Sequence, residues 1–388
     1  MIGFQMQGVA VGWQVYELTH RPLDLGYVGL AQFVPSIVLS LVAGEMADRF
    51  ERRRLLVVCY GILAACTVML AWIAHLPAPA VTSIYAVLVL IGIGRAFAGP
   101  AAQALVPNLV DAAHFPNAVA WSSSTWHVAV VAGPAIGGAV YAASSSTWVY
   151  VFAAILQFIA MAAIGALPLP KIIAKADGRS LRRLLAGLEF VWKKKIILGA
   201  LSLDMFAVLF GGAVALLPVY AKDVLHTGPI GLGLLRSAPA AGATLVALSL
   251  VFRPIERRTG LVMFTGVFVF GLATVVFGLS KNFGLSLGAL VVLGAADMVS
   301  VYVRSNLVQL ATPDGMRGRV SAVNLAFIGV SNELGEFESG ALAALLGVVG
   351  SVVVGGVGSC VIVAVWMLLF PALRRVDKLE PESLAADG

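Results

Sequence analysis

Apolar runs of about twenty residues, parted by short polar stretches, recur from one end of the chain to the other. A run of that length crosses the hydrocarbon core of a bilayer as a helix, at about 1.5 Å of rise per residue. The pattern predicts twelve spans, at about 1–18, 25–47, 55–75, 80–106, 117–143, 147–168, 196–220, 229–252, 261–280, 283–311, 319–346 and 348–373. One long polar interruption divides them into an N-terminal half (1–168), a linker (169–195) and a C-terminal half (196–374), followed by a tail (375–388).

The linker has a different period. In SLRRLLAGLEFVWKKK (180–195), Leu181, Leu184, Leu185, Leu188 and Trp192 fall on one helical face, while Arg182, Arg183 and Lys193 lie on the other. With Ser180 as N-cap, this predicts a basic amphipathic helix along the membrane surface. A partner-binding helix is the alternative.

Composition agrees with the periodicity. The chain is 60% hydrophobic and 12% charged, against about 25% charged residues in soluble domains. Its net charge of +6 raises the question of a nucleic-acid partner, and the location of the charge answers it. Of 26 Lys and Arg, twenty lie in the even-numbered loops, the linker and the tail, and three on the other side (Arg21, Lys222, Lys281). The remaining three, Arg95, Arg236 and Arg304, lie inside spans. This is a positive-inside bias, which puts both termini in the cytoplasm and leaves no support for nucleic-acid binding. Cys59, Cys66 and Cys360 all sit in apolar runs, so they read as small packing residues rather than a disulfide or metal set.

The halves repeat. An ungapped offset of 204 residues pairs Gly8 with Gly212, Tyr16 with Tyr220, Pro35 with Pro239, and Arg49, Arg53 and Arg54 with Arg253, Arg257 and Arg258. Duplication of a six-span unit is the architecture of secondary transporters, with the substrate path between the halves. The same offset puts the start of the seventh span about eight residues before Met1. The first span is therefore expected to lack its start, through an upstream initiation site or a truncated product.

GEMADRFERRR (44–54) packs seven charges into eleven positions. Arg49, Arg52, Arg53 and Arg54 suffice as topology anchors, but Gly44 and Asp48 are not explained that way. Gly permits close helix approach, and an Asp among arginines forms charge-assisted bonds or caps a helix. The second copy, FRPIERRTG (252–260), keeps the arginines and has Phe252 where Asp48 would fall. A cytoplasmic gate made by Gly44, Asp48, Arg49, Arg52 and Arg53 is therefore expected.

That stretch resembles the loop 2–3 motif of the major facilitator superfamily, roughly Gly-x-Leu-Ala-Asp-Arg-x-Gly-Arg-Arg. Met46 replaces the Leu and Glu51 the second Gly, which puts the turn geometry in doubt rather than the Asp. GIGRAFAGP (92–100) resembles the span-4 motif of the same family at Arg95 and Gly99. AGPAIGG (132–138) resembles its span-5 antiporter motif at Gly133, Pro134, Gly137 and Gly138, with Ala129 in place of the first Gly. WQVYELT (13–19), RGRVSAVN (317–324) and SNELGEFESG (331–340) are similar to the branch that contains the bacterial enterobactin exporter. The resemblance implies an all-α twelve-helix fold, a bacterial inner membrane and proton-driven export. It does not fix the cargo.

Ionisable groups inside spans cost about 2.5–3.5 kcal/mol on insertion scales, so each needs a reason. Arg95, Asp297, Arg304, Glu333 and Glu336 are central; Asp204 and Arg236 are shallower. Asp297 and Arg304, seven apart, share a face two turns from each other, so each needs a partner on another helix. Glu333 and Glu336 face nearly the same way and suit a proton carrier. Mutual ion pairing is the alternative, strongest for Asp204 and Arg236. His127, beside Trp126, reads as a contact for an aromatic cargo or as a satisfied interior side chain.

No Walker loop, HExxH, paired CxxC or Ser-His-Asp setting is present, and the glycines of VGGVGSC (354–360) sit within span 12 as packing residues. The sequence thus predicts a non-enzymatic, monomeric secondary transporter without cofactor or metal. Its expected partners are the bilayer, protons and a small organic molecule such as a siderophore or drug-like compound. Import or lipid flipping by the same fold, or a non-transporting sensor or scaffold, are the alternatives.

Overall fold

The computed structural model describes residues 1–105, 109–111, 114–167 and 180–378; the side chains of 40–42, 44–45, 47–49, 103–104, 116 and 180–184 lie outside the description. All regular structure among the described residues is helical. The helices are α1 (Ile2–Thr19), α2 (Pro22–Arg49), α3 (Arg52–His75), α4 (Val81–Leu105), α5 (Phe115–Ala143), α6 (Ser146–Ala166), α7 (Ser180–Lys193), α8 (Lys195–Phe210), the single turn α9 (Leu217–Val219), α10 (Gly228–Phe252), α11 (Thr259–Leu279), α12 (Phe283–Leu310), α13 (Asp314–Leu369) and α14 (Pro371–Arg375). Among the described residues, ten candidate membrane spans meet the length and hydropathy needed to cross a bilayer. Large apolar side chains such as Phe252 and Leu345, 84% and 80% exposed, cover the outside, as expected of a surface solvated by lipid.

Two of these spans differ from simple helices. α13 runs for 56 residues but is broken at Gly347 (φ 76°, ψ 164°). Ser351 Oγ donates to the carbonyl of Ser339 at 2.8 Å. Twelve helical residues would separate those groups by about 18 Å, so the chain reverses at Gly347, between the eleventh and twelfth predicted spans. The seventh predicted span, expected as one helix over 196–220, is interrupted. α8 stops at Phe210, and a 3₁₀ turn (Ala213–Leu216), α9 and a π turn (Tyr220–Val224) complete the crossing. At the break Gly211 lies against the Phe270 ring and Gly212 against the carbonyl of Gly335, too close for a Cβ.

The chain forms two compact units: residues 1–180 with 227–237, and residues 181–226 with 238–388. In the first, α2 packs on α4, α3 on α4 and α6, and α1 on α5 and α6. In the second, α8 packs on α13, and α11 on α12 and α13, around Ile197, Leu201, Phe264, Leu307 and Val320.

α7 belongs to the second unit. Gly187 sits against the backbone of Arg319 and Val191 is buried, whereas Leu185 and Trp192 are 53% and 66% exposed. Lys193 donates to Glu189 at 2.6 Å and holds that carboxylate below its ordinary range.

The second unit also closes its own α10–α11 turn. Arg258 has a left-handed backbone (φ 52°) at the N-cap of α11 and donates its N–H to Asp377 Oδ1 at 2.8 Å. The N–H groups of Thr259 and Gly260 donate to the carbonyls of Asp377 and Val376. Three first-turn donors that a helix leaves open are met by the segment after α14.

Candidate functional site

The second unit holds a deeply buried ion pair. Asp204 on α8 and Arg304 on α12 are 5% and 3% exposed, and Arg304 Nη1 lies 3.1 Å from Asp204 Oδ2. The same Nη1 donates to Asn324 Oδ1 on α13 at 2.8 Å, so α8, α12 and α13 are joined through one guanidinium. Arg304 thus has the partner on another helix that its sequence position demands.

Asp297 lies two turns before Arg304 on α12, half-buried and within electrostatic reach of both Asp204 and Arg304. It makes no hydrogen bond to the described residues. Asp204, Asp297 and Ser300 line a cavity with Ala207, Val208, Val267 and Phe270. About 10 Å³ of it admits a water-sized occupant, room for roughly one such sphere. Ser300 is 1% exposed, and its Oγ has no partner among the described residues. Ser202, Thr274 and Ser359, also buried on helices of this unit, donate to the carbonyl one turn back.

Glu333 and Glu336 are half-buried on α13 and each engages other groups. Among the described residues no group of three or more His, Cys, Asp or Glu is arranged to hold a metal ion.

In the first unit, Arg95 on α4 is exposed, and its Nη1 donates to Gln32 Oε1 on α2 at 3.2 Å. Gly92, one turn earlier, sits against the Gln32 backbone with no space for a Cβ, whereas a Cβ at Gly99 would meet nothing within 4 Å. His127 is half-buried, its ring 5.1 Å from that of Trp126 in an edge-on contact.

The span-5 glycines are places of close approach. A Cβ at Gly133 would come within 2.5 Å of Gln5 Cβ, and one at Gly137 within 2.9 Å of Met6 Cα, both on α1. A Cβ at Gly138 would meet the Pro229 carbonyl and Gly233 Cα of α10, and Gly233 in turn faces the Pro134 carbonyl. Arg236, on the same part of α10, donates to the carbonyl of Gly8 at 3.0 Å.

Of the charge knot, the side chains of Gly44, Asp48 and Arg49 lie outside the described residues. Arg53 Nη1 donates to the carbonyl of Leu167, which caps α6, at 2.8 Å. Glu51 sits at the N-cap of α3 with φ −60° and pairs with Arg54 at 2.8 Å. That φ is open to any residue, so Glu in place of the motif's Gly costs this turn nothing. Arg52 is half-buried and engaged.

Neutral polar side chains form a second buried network that the sequence reading did not single out. Thr67 Oγ1 donates to Gln157 Oε1 at 2.8 Å and Gln157 Nε2 to Gln7 Oε1 at 3.2 Å, tying α3, α6 and α1 together. Tyr150 donates to Gln14 at 2.8 Å two turns further along α1. Two glutamines seven apart in an apolar run were the available signal.

Two six-helix-sized units, each carrying buried polar groups that bridge its helices, define a polytopic membrane protein of the secondary-transporter class. The model of the family described as transmembrane secretion effectors matches residues 1–386. The chain belongs to that family of the major facilitator superfamily, and is a membrane transporter rather than an enzyme. It is 27% identical over 392 residues to the enterobactin exporter EntS of Escherichia coli O157:H7, covering 100% of this chain and 93% of that one. The EntS of Shigella boydii serotype 18 is equally similar. Among solved structures, the xylose transporter XylE from E. coli superposes with a TM-score of 0.72 at 14% identity, covering 99% of this chain and 97% of that one. A POT family transporter in complex with 5-aminolevulinic acid gives 0.73 at 12% identity, covering 96% and 94%. At those identities the structures speak to fold alone.

Proposed function

We propose that the protein exports a small organic molecule, of siderophore or drug-like type, across a bacterial inner membrane in exchange for protons, as a monomer with both termini in the cytoplasm. The observation that carries the coupling is Asp297: a carboxylate inside a span, without a hydrogen-bond donor, beside a buried ion pair. A group so placed has no structural bond to keep, and a gained proton removes its cost of burial. Glu333 and Glu336 are the second acidic pair on the proton's route, and Arg95 and His127 contact the cargo. Gly44, Asp48, Arg49, Arg52 and Arg53 gate the cytoplasmic side. Gly133, Gly137 and Gly138, packed without space for a Cβ, together with Pro134 between them, favour the exporter reading. Similarity to an enterobactin exporter supports a catechol siderophore as the first cargo to try.

The test compares metabolites in cells and medium of a strain lacking the gene, complemented with native or Asp297→Asn protein, with and without iron. A compound held in cells and released only by the native protein is expected. Equal release by both proteins removes the proton role of Asp297. No difference between the complemented strain and the deletion overturns export and favours import, lipid flipping or a non-transport role.

A further inference from the structure

We infer that the cavity among α8, α11 and α12 is a sodium site, with Asp204, Asp297 and Ser300 as its protein ligands. The inference rests on reading the chain as an ion-coupled transporter, and adds an ion and its seat.

Three observations converge. The first is charge. Asp204, Asp297 and Arg304 sum to one excess negative charge inside a span, and among the described residues the other walls of the cavity, Ala207, Val208, Val267 and Phe270, carry no charge. Asn324, the fourth polar group of the cluster, is neutral and engages Arg304 on the side of the ion pair. One monovalent cation balances the site; a divalent ion overshoots.

The second is the orphaned hydroxyl. Ser300 Oγ is buried, lines the cavity and takes no partner from the described residues, although the carbonyl one turn back is the usual acceptor for a helical Ser. Nearly all buried polar atoms in folded proteins are satisfied. A proton on Asp297 settles the charge, but Asp297 and Ser300 make no hydrogen bond to each other that would meet the hydroxyl. A water settles the hydroxyl and leaves the charge. A cation bound by both carboxylates and the Ser oxygen settles both at once.

The third is size and ligand type. The room available is that of about one water; a bare Na⁺, smaller than a water molecule, fits it with room for its ligands to close in, whereas K⁺, about as large as a water, fills it completely. The ligands are all oxygens, as hard cations require. Mg²⁺ demands a near-octahedral shell at about 2.0–2.1 Å, which three side chains on an apolar wall do not furnish. Asp204 reaches Arg304 through Oδ2, so its other oxygen is available to the ion. Arg304 would act as a positioning residue, fixing Asp204 from behind.

The experiment measures equilibrium binding of radioactive sodium to the purified full-length protein in lipid nanodiscs at mildly alkaline pH, with K⁺, choline and Mg²⁺ as competitors. Saturable binding of one Na⁺ per chain, displaced by acid and not by K⁺, is expected. Asp297→Asn should abolish it and Ser300→Ala weaken it about tenfold or more. Absence of saturable binding to the native protein up to about 0.15 M salt overturns the site, and this result needs no variant to fold. Binding unchanged in both variants also overturns it, by placing the ion elsewhere. Protonophore-sensitive export in a protein that binds no sodium would sink the site and leave the function standing. Sodium binding without any export would do the reverse.

Discussion

Arg304→Gln removes the only positive charge of the second unit's buried cluster. Asp204, 5% exposed, then loses its one ionic partner, and Asp297 loses the nearest balancing charge. Breaking a buried ion pair by deleting one member costs about 3–5 kcal/mol, and a lone Asp at mid-span costs about 2.5–3.5 kcal/mol on insertion scales. The lower end, about 3 kcal/mol, is the working figure. For a unit of some 200 residues each kcal/mol is worth roughly 2–4 °C, so the melting temperature should fall on the order of 10 °C. Thermal unfolding in detergent, followed by size exclusion after heating, gives the value. Tryptophan fluorescence adds a reporter, because the Trp366 indole donates to Ser202 on α8 at 2.9 Å. The decisive form is a double-mutant cycle with Asp204→Asn. Once the carboxylate is neutral, Arg304→Gln should cost at least about 1 kcal/mol less than in the native background. An Arg304→Gln protein melting with the native one, or a cycle additive within about 0.5 kcal/mol, would refute the idea that this pair holds the unit together.

Further outcomes follow from the packing. Gly138→Ala places a methyl against the Pro229 carbonyl and Gly233 and should lower stability by about 1–3 kcal/mol, while Gly99→Ala, with open space around it, should melt like the native protein. Gly347→Ala must adopt φ 76°, ψ 164°, a Gly-only region costing about 1–3 kcal/mol; lowered yield and melting temperature would show it. Gln157→Leu removes two bonds of the first unit's buried network and leaves Thr67 and Gln7 to each other at 3.0 Å, so it should cost about 0.5–1.5 kcal/mol per bond lost. A silent substitution there would mean that the Thr67–Gln7 bond and the Leu63 carbonyl, 2.9 Å from Thr67, satisfy the group without Gln157.

Hydropathy was enough to read the all-helical membrane class, because each run must bury its own backbone polar groups within itself. It also located the reversal at residue 347, where a single Gly separates two apolar runs. It did not show the break at Gly211–Gly212, since both sides are equally apolar and the cause is tertiary: Phe270 and Gly335 press on the backbone there. A charge in a span announces its need for a partner, so Arg304 was legible while its partner was not; Asp204 and Asn324 come from helices that only the fold brings together. Gln7, Thr67 and Gln157 are neutral, lower hydropathy little, and left no mark. The span-5 glycines were found by motif, and their packing against α1 and α10 gives that motif a physical content.

The charge-bearing turns after α2 and after α10 share a run of arginines in the sequence. In the first, Asp48 belongs to the last turn of α2. In the second that position holds Phe252, and the carboxylate reaching the first turn of α11 is Asp377, from beyond the last span. The start of α11 therefore draws its acid from the chain's tail, and residues 252–260 carry only part of the turn they build. A chimera that transplanted 252–260 without 376–377 would carry over the arginines and leave the helix start uncovered.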